Sequence, residues 1–392
     1  MASKDNSVDL AKKWLLDSGI QNVGKSHPLE GGFNSWFDMN NKNYPFIYSE
    51  ITGYGISVLL YLNAASQDKI FLDRARLAAE WLMKFALHRS GGAMTRHYYE
   101  KKDEQKEYSF SDGLLFTFDS GMVMYGLMML YKETKGERYL EAAERIAGFI
   151  IKCQRKDGLL YAAYDPNKDN FVDDPKKWSS QSGSFHAKTA LGFLEIYEAT
   201  QNNSYKKAAV NLCDAVLEIQ ENNGRFVTLK DSGGTNFHPH LYSAEGLYFT
   251  GIKLANKKYL EAASKAVVWV LENQTKTGGI PCMFAGGRFN QNERSDVVAQ
   301  TLRLFALLAN GSKSDWSDYT EKAKILQKRL LTFQNLDAGT EEKQVGGFFY
   351  GWDENGNKLN HLNSWCTMFA VQALSLYDSF ANGKDIVAEP FV

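Results

Sequence analysis

The stretch "TNFHPHLYSAEG" at residues 235–246 gathers His238, His240, Tyr242 and Glu245 where an apolar segment begins. Imidazole, phenol and carboxylate are the side chains that move protons, and imidazole does so close to neutral pH. On a helix, residues three apart share a face, so Tyr242 and Glu245 point the same way, with His240 above them. Chance burial of four such groups together is a poor explanation, because perturbed ionisable groups gather at sites. The expectation is proton transfer, with His240, Tyr242 and Glu245 among the catalytic residues.

Five other apolar segments also open on polar or ionisable residues: Glu50; Asp119; His186 with Lys188; Arg294, Asp296 and Gln300; and His361 with Asn363. Asp119, Asp296 and Asn363 sit where helix caps sit, so capping is their competing reading. Arg294 is expected to hold an anionic substituent, because guanidinium binds carboxylates through two parallel hydrogen bonds. Glu50, Asp119 and Gln300 are expected to bind substrate hydroxyls, and Trp36, Trp352 and Trp365 to offer stacking faces. Sugars suit such a mixture, since pyranose C–H faces lie on aromatic rings while hydroxyls need fixed donors and acceptors. A different reaction, glycoside hydrolysis, needs two carboxylates about 5 to 9.5 Å apart. Glu50, Asp119, Glu245 and Asp296 are the candidates for such a pair.

The elements that position these residues form a repeat. "FLDRARLAAEWLMKF" (71–85), "YLEAAERIAGFIIKC" (139–153), "YKKAAVNLCDAVLEI" (205–219), "YLEAASKAVVWVLEN" (259–273) and "YTEKAKILQKRLLTF" (319–333) share an aromatic start and one apolar stripe of helical period. Each follows a more uniformly apolar helix: 48–62, 119–131, 184–197, 242–254 and 295–308. A sixth apolar helix, 364–377, has no amphipathic partner after it, whereas the amphipathic 7–19 has none before it. Paired with each other, these two close a ring of six inner and six outer helices. The fold expected is therefore all-α, an (α/α)6 toroid spanning residues 1–392 as one domain. Glycine-marked extended pieces after the outer helices, such as 31–38, 91–99 and 278–284, read as short β-hairpins. The last, 346–359, would turn at Asn355-Gly356. Connectivity sends all these loops to the end where the inner helices begin, which makes that end a funnel.

This pattern resembles the six-hairpin glycosidase-like superfamily over essentially the whole chain. The resemblance implies a carbohydrate substrate; the superfamily includes glycoside hydrolases, uronate-processing enzymes and sugar epimerases. Its N-acylglucosamine 2-epimerase-like branch has a His and a Glu three residues apart at an inner-helix start and a second His opening the last inner helix. By that resemblance Glu245 matches the Glu and His361 the second His, while Tyr242 stands where the first His would be. The reading is then an epimerase or lyase in which His240 or Tyr242 works from one face of the sugar and His361 from the other. A hydrolase with a carboxylate pair is the alternative. A non-catalytic glycan-binding toroid is the alternative from another class, and the titratable cluster argues against it.

Composition excludes several partners. Lys and Arg number 45 against 46 Asp and Glu, so no net field favours nucleic acid or an anionic membrane. No apolar run approaches the roughly 20 residues that span a bilayer. The first 19 residues carry charges where an export signal would be apolar, and four cysteines lie scattered without CxxC spacing. A cytoplasmic protein with reduced thiols is expected. Zinc, P-loop and dinucleotide motifs do not occur, so no metal and no organic cofactor is expected. "DPNKDNFVDDPK" (165–176) has calcium-loop offsets at Asp165, Asn167, Asp169 and Asp173, but Asn170 replaces the required Gly and Lys176 the terminal Glu. It reads as a solvated acidic loop over the funnel.

Overall fold

A computed structural model describes residues 4–24, 28–99, 113–312, 315–337, 339 and 341–392. Its α-helices are α1 (Lys4–Asp17), α2 (Ser49–Ser66), α3 (Lys69–Trp81), α4 (Thr117–Thr134), α5 (Glu137–Lys152), α6 (Ala190–Thr200), α7 (Asn203–Glu218), α8 (Phe237–Leu254), α9 (Lys257–Glu272), α10 (Ser295–Gly311), α11 (Thr320–Leu331) and α12 (Ser364–Ala381). The even-numbered helices are the inner ring: α2 packs on α4, α4 on α6, α6 on α8, α8 on α10, α10 on α12, and α12 returns to α2. Each outer helix lies against the inner helix before it, and α1 lies against α12, as the unpaired terminal segments require.

Four inner-to-outer turns share one two-residue design. Gln67, Lys135, Gln201 and Ala255 end their helices in the left-handed conformation, at φ 56°, 56°, 59° and 51°. In three of these turns the next residue caps the outer helix: Asp68, Asn202 and Asn256 each accept from the backbone N–H two residues on. Inner helices touch through glycine. A Cβ on Gly53 would stand 2.7 Å from the Met122 carbonyl oxygen, and one on Gly246 would stand 2.1 Å from the Ala187 carbonyl carbon.

The inner helices differ in detail from the sequence expectation. The segment at 184 begins as a 3-10 helix, Ser184–Thr189, before α6. α8 begins at Phe237 and not at Tyr242, because Asn236 caps it and Pro239 is tolerated in the first turn. At the funnel end, extended pieces β1 (Trp36–Asp38), β2 (Phe46–Tyr48), β3 (Arg96–Tyr98), β4 (Leu115–Phe116), β5 (Ala163–Asp165), β6 (Asn170–Val172), β7 (Thr235–Asn236), β8 (Pro281–Ala285), β9 (Arg288–Arg294), β10 (Phe348–Phe349), β11 (Gly351–Trp352) and β12 (His361–Asn363) form small sheets. Two adjacent pairs, β5–β6 and β8–β9, are hairpins, but β1–β12–β10 and β11–β9 join loops of different repeats. Neighbouring loops at one end of a ring satisfy one another's backbone groups. The turn at Asn355-Gly356 is closed by a bridge between Trp352 and Lys358.

The calcium-like run is the β5–β6 hairpin. Asp165 accepts from the backbone of Asn167 and Lys168, Asp173 from Ala162, and Asp169 bonds Tyr164. Among the described residues no three His, Cys, Asp or Glu side chains are grouped to hold a metal. No described helix is long and apolar enough to cross a membrane.

Candidate active site

A cavity of about 310 Å3 opens at the inner-helix N-termini. Aromatic residues dominate its wall, among them Trp36, Trp178, Tyr242, Tyr350 and Trp365, and the polar groups reaching it include Glu50, Arg96, Asp119, His238 and Arg294. It lies at the small end of ligand sites, which run roughly 300–1,000 Å3.

Glu50 and Asp119 come from the first turns of neighbouring inner helices, α2 and α4, and both are buried. Burial pushes the Asp119 carboxyl well above the ordinary carboxylate range, the Glu50 charge pushes it further, and the Arg96 guanidinium opposes both. One Asp119 oxygen, Oδ2, is buried without a hydrogen-bond partner. Burial also raises Glu50, while the neighbouring Tyr48 hydroxyl and the Lys188 and Arg96 cations favour its charged form. Asp119 is thus the carboxyl that holds a proton, and Glu50 the one that ionises first. Arg96 stands over the Tyr48 ring at 4.8 Å.

Across the cavity, Asp296 is a hub. It accepts from Arg294 Nε at 3.0 Å and from Arg294 Nη2, and from Trp365 Nε1 at 2.9 Å. Its Oδ2 also lies 3.4 Å from His238 Nδ1. The Arg294 charge holds Asp296 ionised despite burial. His238 packs on Tyr242 with ring centroids 4.3 Å apart. Burial holds its imidazole neutral, with the pKa pushed down to about 4.

The inward stripe of α8 runs His238, Tyr242, Glu245, Phe249, at helical spacing. The first two line the cavity. Glu245 lies one turn deeper, fully buried, where Arg303 Nη2 at 2.6 Å and Lys188 Nζ at 2.9 Å keep it ionised. Lys188 is caged by Tyr54 and Tyr242, each 4.6 Å from its ammonium, and burial lowers its pKa to about 7. Below this cluster Phe391 and Val392 are wholly buried; Val392 O accepts from Lys188 at 3.1 Å, and Phe391 covers Arg303 at 4.2 Å.

Of the residues singled out from sequence, Glu50, Asp119, Tyr242, Arg294, Trp36 and Trp365 meet at the cavity. His240 does not. Its Nδ1 accepts from Phe226 N at 3.2 Å and its Nε2 donates to Ala266 O at 3.0 Å, so the ring ties a loop to α9. His361 stands behind the aromatic wall, 4.9 Å from Tyr350 and 5.0 Å from Trp36. Gln300 is wholly buried between His238 and Glu245. Trp352 packs outside the cavity against Phe333 and Arg329. The Arg294 fork, expected to grip a substrate anion, is engaged by Asp296. Sequence reasoning missed Tyr48, Arg96, Lys177 and Trp178 as wall residues. Tyr48 and Arg96 lie on short strands, and nothing in their local pattern marks them.

The toroid defined by this ring is shared with carbohydrate-active enzymes of known structure. Cellobiose 2-epimerase from Bacillus thermoamylovorans superposes with a TM-score of 0.75 at 11% identity, over 95% of this chain and 99% of that one. D-mannose isomerase gives 0.72 at 14% identity, over 95% and 98%. The unsaturated glucuronyl hydrolase of Bacillus sp. GL1 gives 0.66 at 13% identity, over 95% and 96%. These likenesses bear out the six-hairpin (α/α)6 expectation. The profile of the family described as "Beta-L-arabinofuranosidase, GH127 catalytic domain" matches residues 65–274, more than half of the chain, and the chain belongs to that family. It is a carbohydrate-active enzyme. No curated protein matches the sequence.

Proposed function

We propose that this enzyme is a glycoside hydrolase that removes a single terminal sugar, with Asp119 as general acid and Glu50 as its carboxylate partner. The observation that carries this reading is the meeting of two buried carboxyls from adjacent inner helices in one cavity; burial raises both, Asp119 the further, which suits it to carry the proton. Asp119 gives its proton to the glycosidic oxygen as the bond from that oxygen to the anomeric carbon breaks. Glu50 meets the positive charge developing on the ring, either by attacking the anomeric carbon or by taking a proton from the water that does. Trp36, Trp365 and Tyr350 supply the apolar walls. The small volume favours one ring over an extended chain, and the family description makes β-L-arabinofuranosides the first substrates to test.

The experiment compares Asp119→Asn and Glu50→Gln on a nitrophenyl and an alkyl β-L-arabinofuranoside. Glu50→Gln should lower kcat at least 10^3-fold on both. Asp119→Asn should lower it by about 10^2–10^4 on the alkyl glycoside and much less on the nitrophenyl one, whose leaving group needs no proton. Equal loss on both substrates would remove Asp119 from the acid role. A second reading, proton transfer at a sugar carbon, is favoured by His238, whose imidazole lines the cavity and is held neutral by burial. Turnover in D2O separates the two: carbon-bound deuterium marks proton transfer, and a freed anomeric centre without it marks hydrolysis.

A further inference from the structure

The hydrogen bonds behind the cavity fix which nitrogen of His238 faces the sugar. Glu245, ionised by Arg303 and Lys188, can only accept. The Gln300 atom 3.1 Å from Glu245 Oε1 is therefore the amide nitrogen, and the amide oxygen is the end that lies 2.7 Å from His238 Nδ1. An amide oxygen also only accepts, as does Asp296 Oδ2 at 3.4 Å from the same nitrogen. Nδ1 must carry the hydrogen. In the neutral ring, Nε2 then has a bare lone pair, and among the described residues it has no hydrogen-bond partner. His238 lines the cavity, so that lone pair is turned to whatever fills it.

The charges on this wall are already matched. Arg294 is joined to Asp296 through two nitrogens, and Asp296 takes further hydrogen from Trp365. What the wall offers a ligand is an acceptor. A carboxylate or sulfate brought to it would set lone pair against lone pair, whereas a sugar hydroxyl would donate.

We propose that His238 is a specificity-determining residue that accepts a hydrogen bond at Nε2 from a free hydroxyl of the substrate, so that the substituent held against this wall is a hydroxyl and not a carboxylate or sulfate. The proposal rests on this cavity being the sugar site. It does not depend on hydrolysis: failure of the Asp119 and Glu50 tests would leave it standing, and its own failure would leave them standing. A site built to bond a hydroxyl discriminates strongly against a ligand lacking one, because the buried polar group is left unpaired.

The test begins without ligand. Protein labelled with 15N-histidine should show His238 as the Nδ1–H tautomer at pH 7; an Nε2–H tautomer would overturn the proposal. Methyl β-L-arabinofuranoside, cellobiose, D-mannose and, as a carboxylate without hydroxyls, acetate are then titrated to millimolar concentration at constant pH. At least one neutral sugar should shift the Nε2 resonance, and acetate should not. A shift with acetate, or none with any neutral sugar, overturns it. His238→Phe keeps the ring on Tyr242 and removes the acceptor, and should weaken the responsive sugar at least 10-fold. His238→Gln, which retains an acceptor, should recover part of that affinity. Should the Phe variant misfold, the tautomer and the titration decide alone; unchanged affinity in a folded Phe variant refutes the assignment.

Discussion

Replacing His240 by phenylalanine separates a structural histidine from a catalytic one. The ring is wholly buried, and phenylalanine keeps a flat aromatic ring there at somewhat greater volume, so the change is chiefly the loss of both polar contacts. Phe226 N–H and Ala266 C=O would both be left without their partners, each at about 1–3 kcal/mol. The sum, about 2–6 kcal/mol, corresponds to a fall in Tm of roughly 2–7 °C, because unfolding entropy near 2 cal/mol/K per residue makes each kcal/mol worth about 1 °C in a chain this long. A pH signature accompanies it. Burial pushes the folded pKa of His240 down to about 4 from an ordinary 6.5, so its contribution is full above pH 6.5 and is lost as pH falls toward 4. That difference amounts to about 3 kcal/mol at 1.36 kcal/mol per pKa unit. The gap in stability between wild type and His240→Phe should therefore narrow by about that much between pH 7 and pH 4, as calorimetry at both pH values would measure. Turnover per folded molecule should stay within about threefold, against the 10^2–10^4 typical of a lost acid or base. A hundredfold fall in kcat at unchanged Tm would refute the structural reading.

Other consequences are as direct. The pH profile of kcat/KM should be bell-shaped, falling on the acid side as Glu50 takes a proton and on the alkaline side as Asp119 loses one. Both limbs should lie above the ordinary carboxylate range, and an acid limb near pH 4 would contradict the burial of Glu50. Gly246→Ala forces a Cβ to 2.1 Å from the Ala187 backbone and should cost about 3 kcal/mol or more, seen as a lower denaturation midpoint. Trp365→Phe keeps an aromatic face but removes the bond to Asp296, so KM should rise several-fold while stability falls by about 1 kcal/mol. Phe391→Ala should cost about 3–5 kcal/mol in a calorimetric scan, since it empties the closed end of the ring beside Arg303.

The ring was legible because its cause is local and repeated: an apolar helix, a two-residue turn, an amphipathic helix. The site was legible only in part. His238 and His240 are two positions apart, about 200° around a helix of 3.6 residues per turn, so only one can face the axis. The capping Asn236 moves the start of α8 back to Phe237 and thereby makes His238 the inward one. Glu245 shares the stripe of Tyr242, as a three-residue spacing requires, but spacing along a stripe says nothing of depth, and one turn separates a wall residue from a sealed ion cluster. Asp119 stood between capping and function; the structure puts it inside the first turn of α4, facing the cavity, because Phe116 occupies the cap position. Arg96 comes from a loop strand paired with β2. Its neighbourhood depends on that pairing, which no periodicity records.

The return of α12 to α2 has a mechanical consequence. In an open stack of helical repeats the end units touch one neighbour and fray at little cost, and motion at the ends spreads inward. Here every inner helix has a neighbour on both sides, and loosening one hairpin breaks two interfaces at once. Partial opening is correspondingly rare, and unfolding should approach a single cooperative step despite the length of the chain. The cavity lies on the axis of that hoop, framed by the first turns of its inner helices. Glu50 and Asp119, carried on adjacent staves, are held at a fixed spacing by the circumference itself.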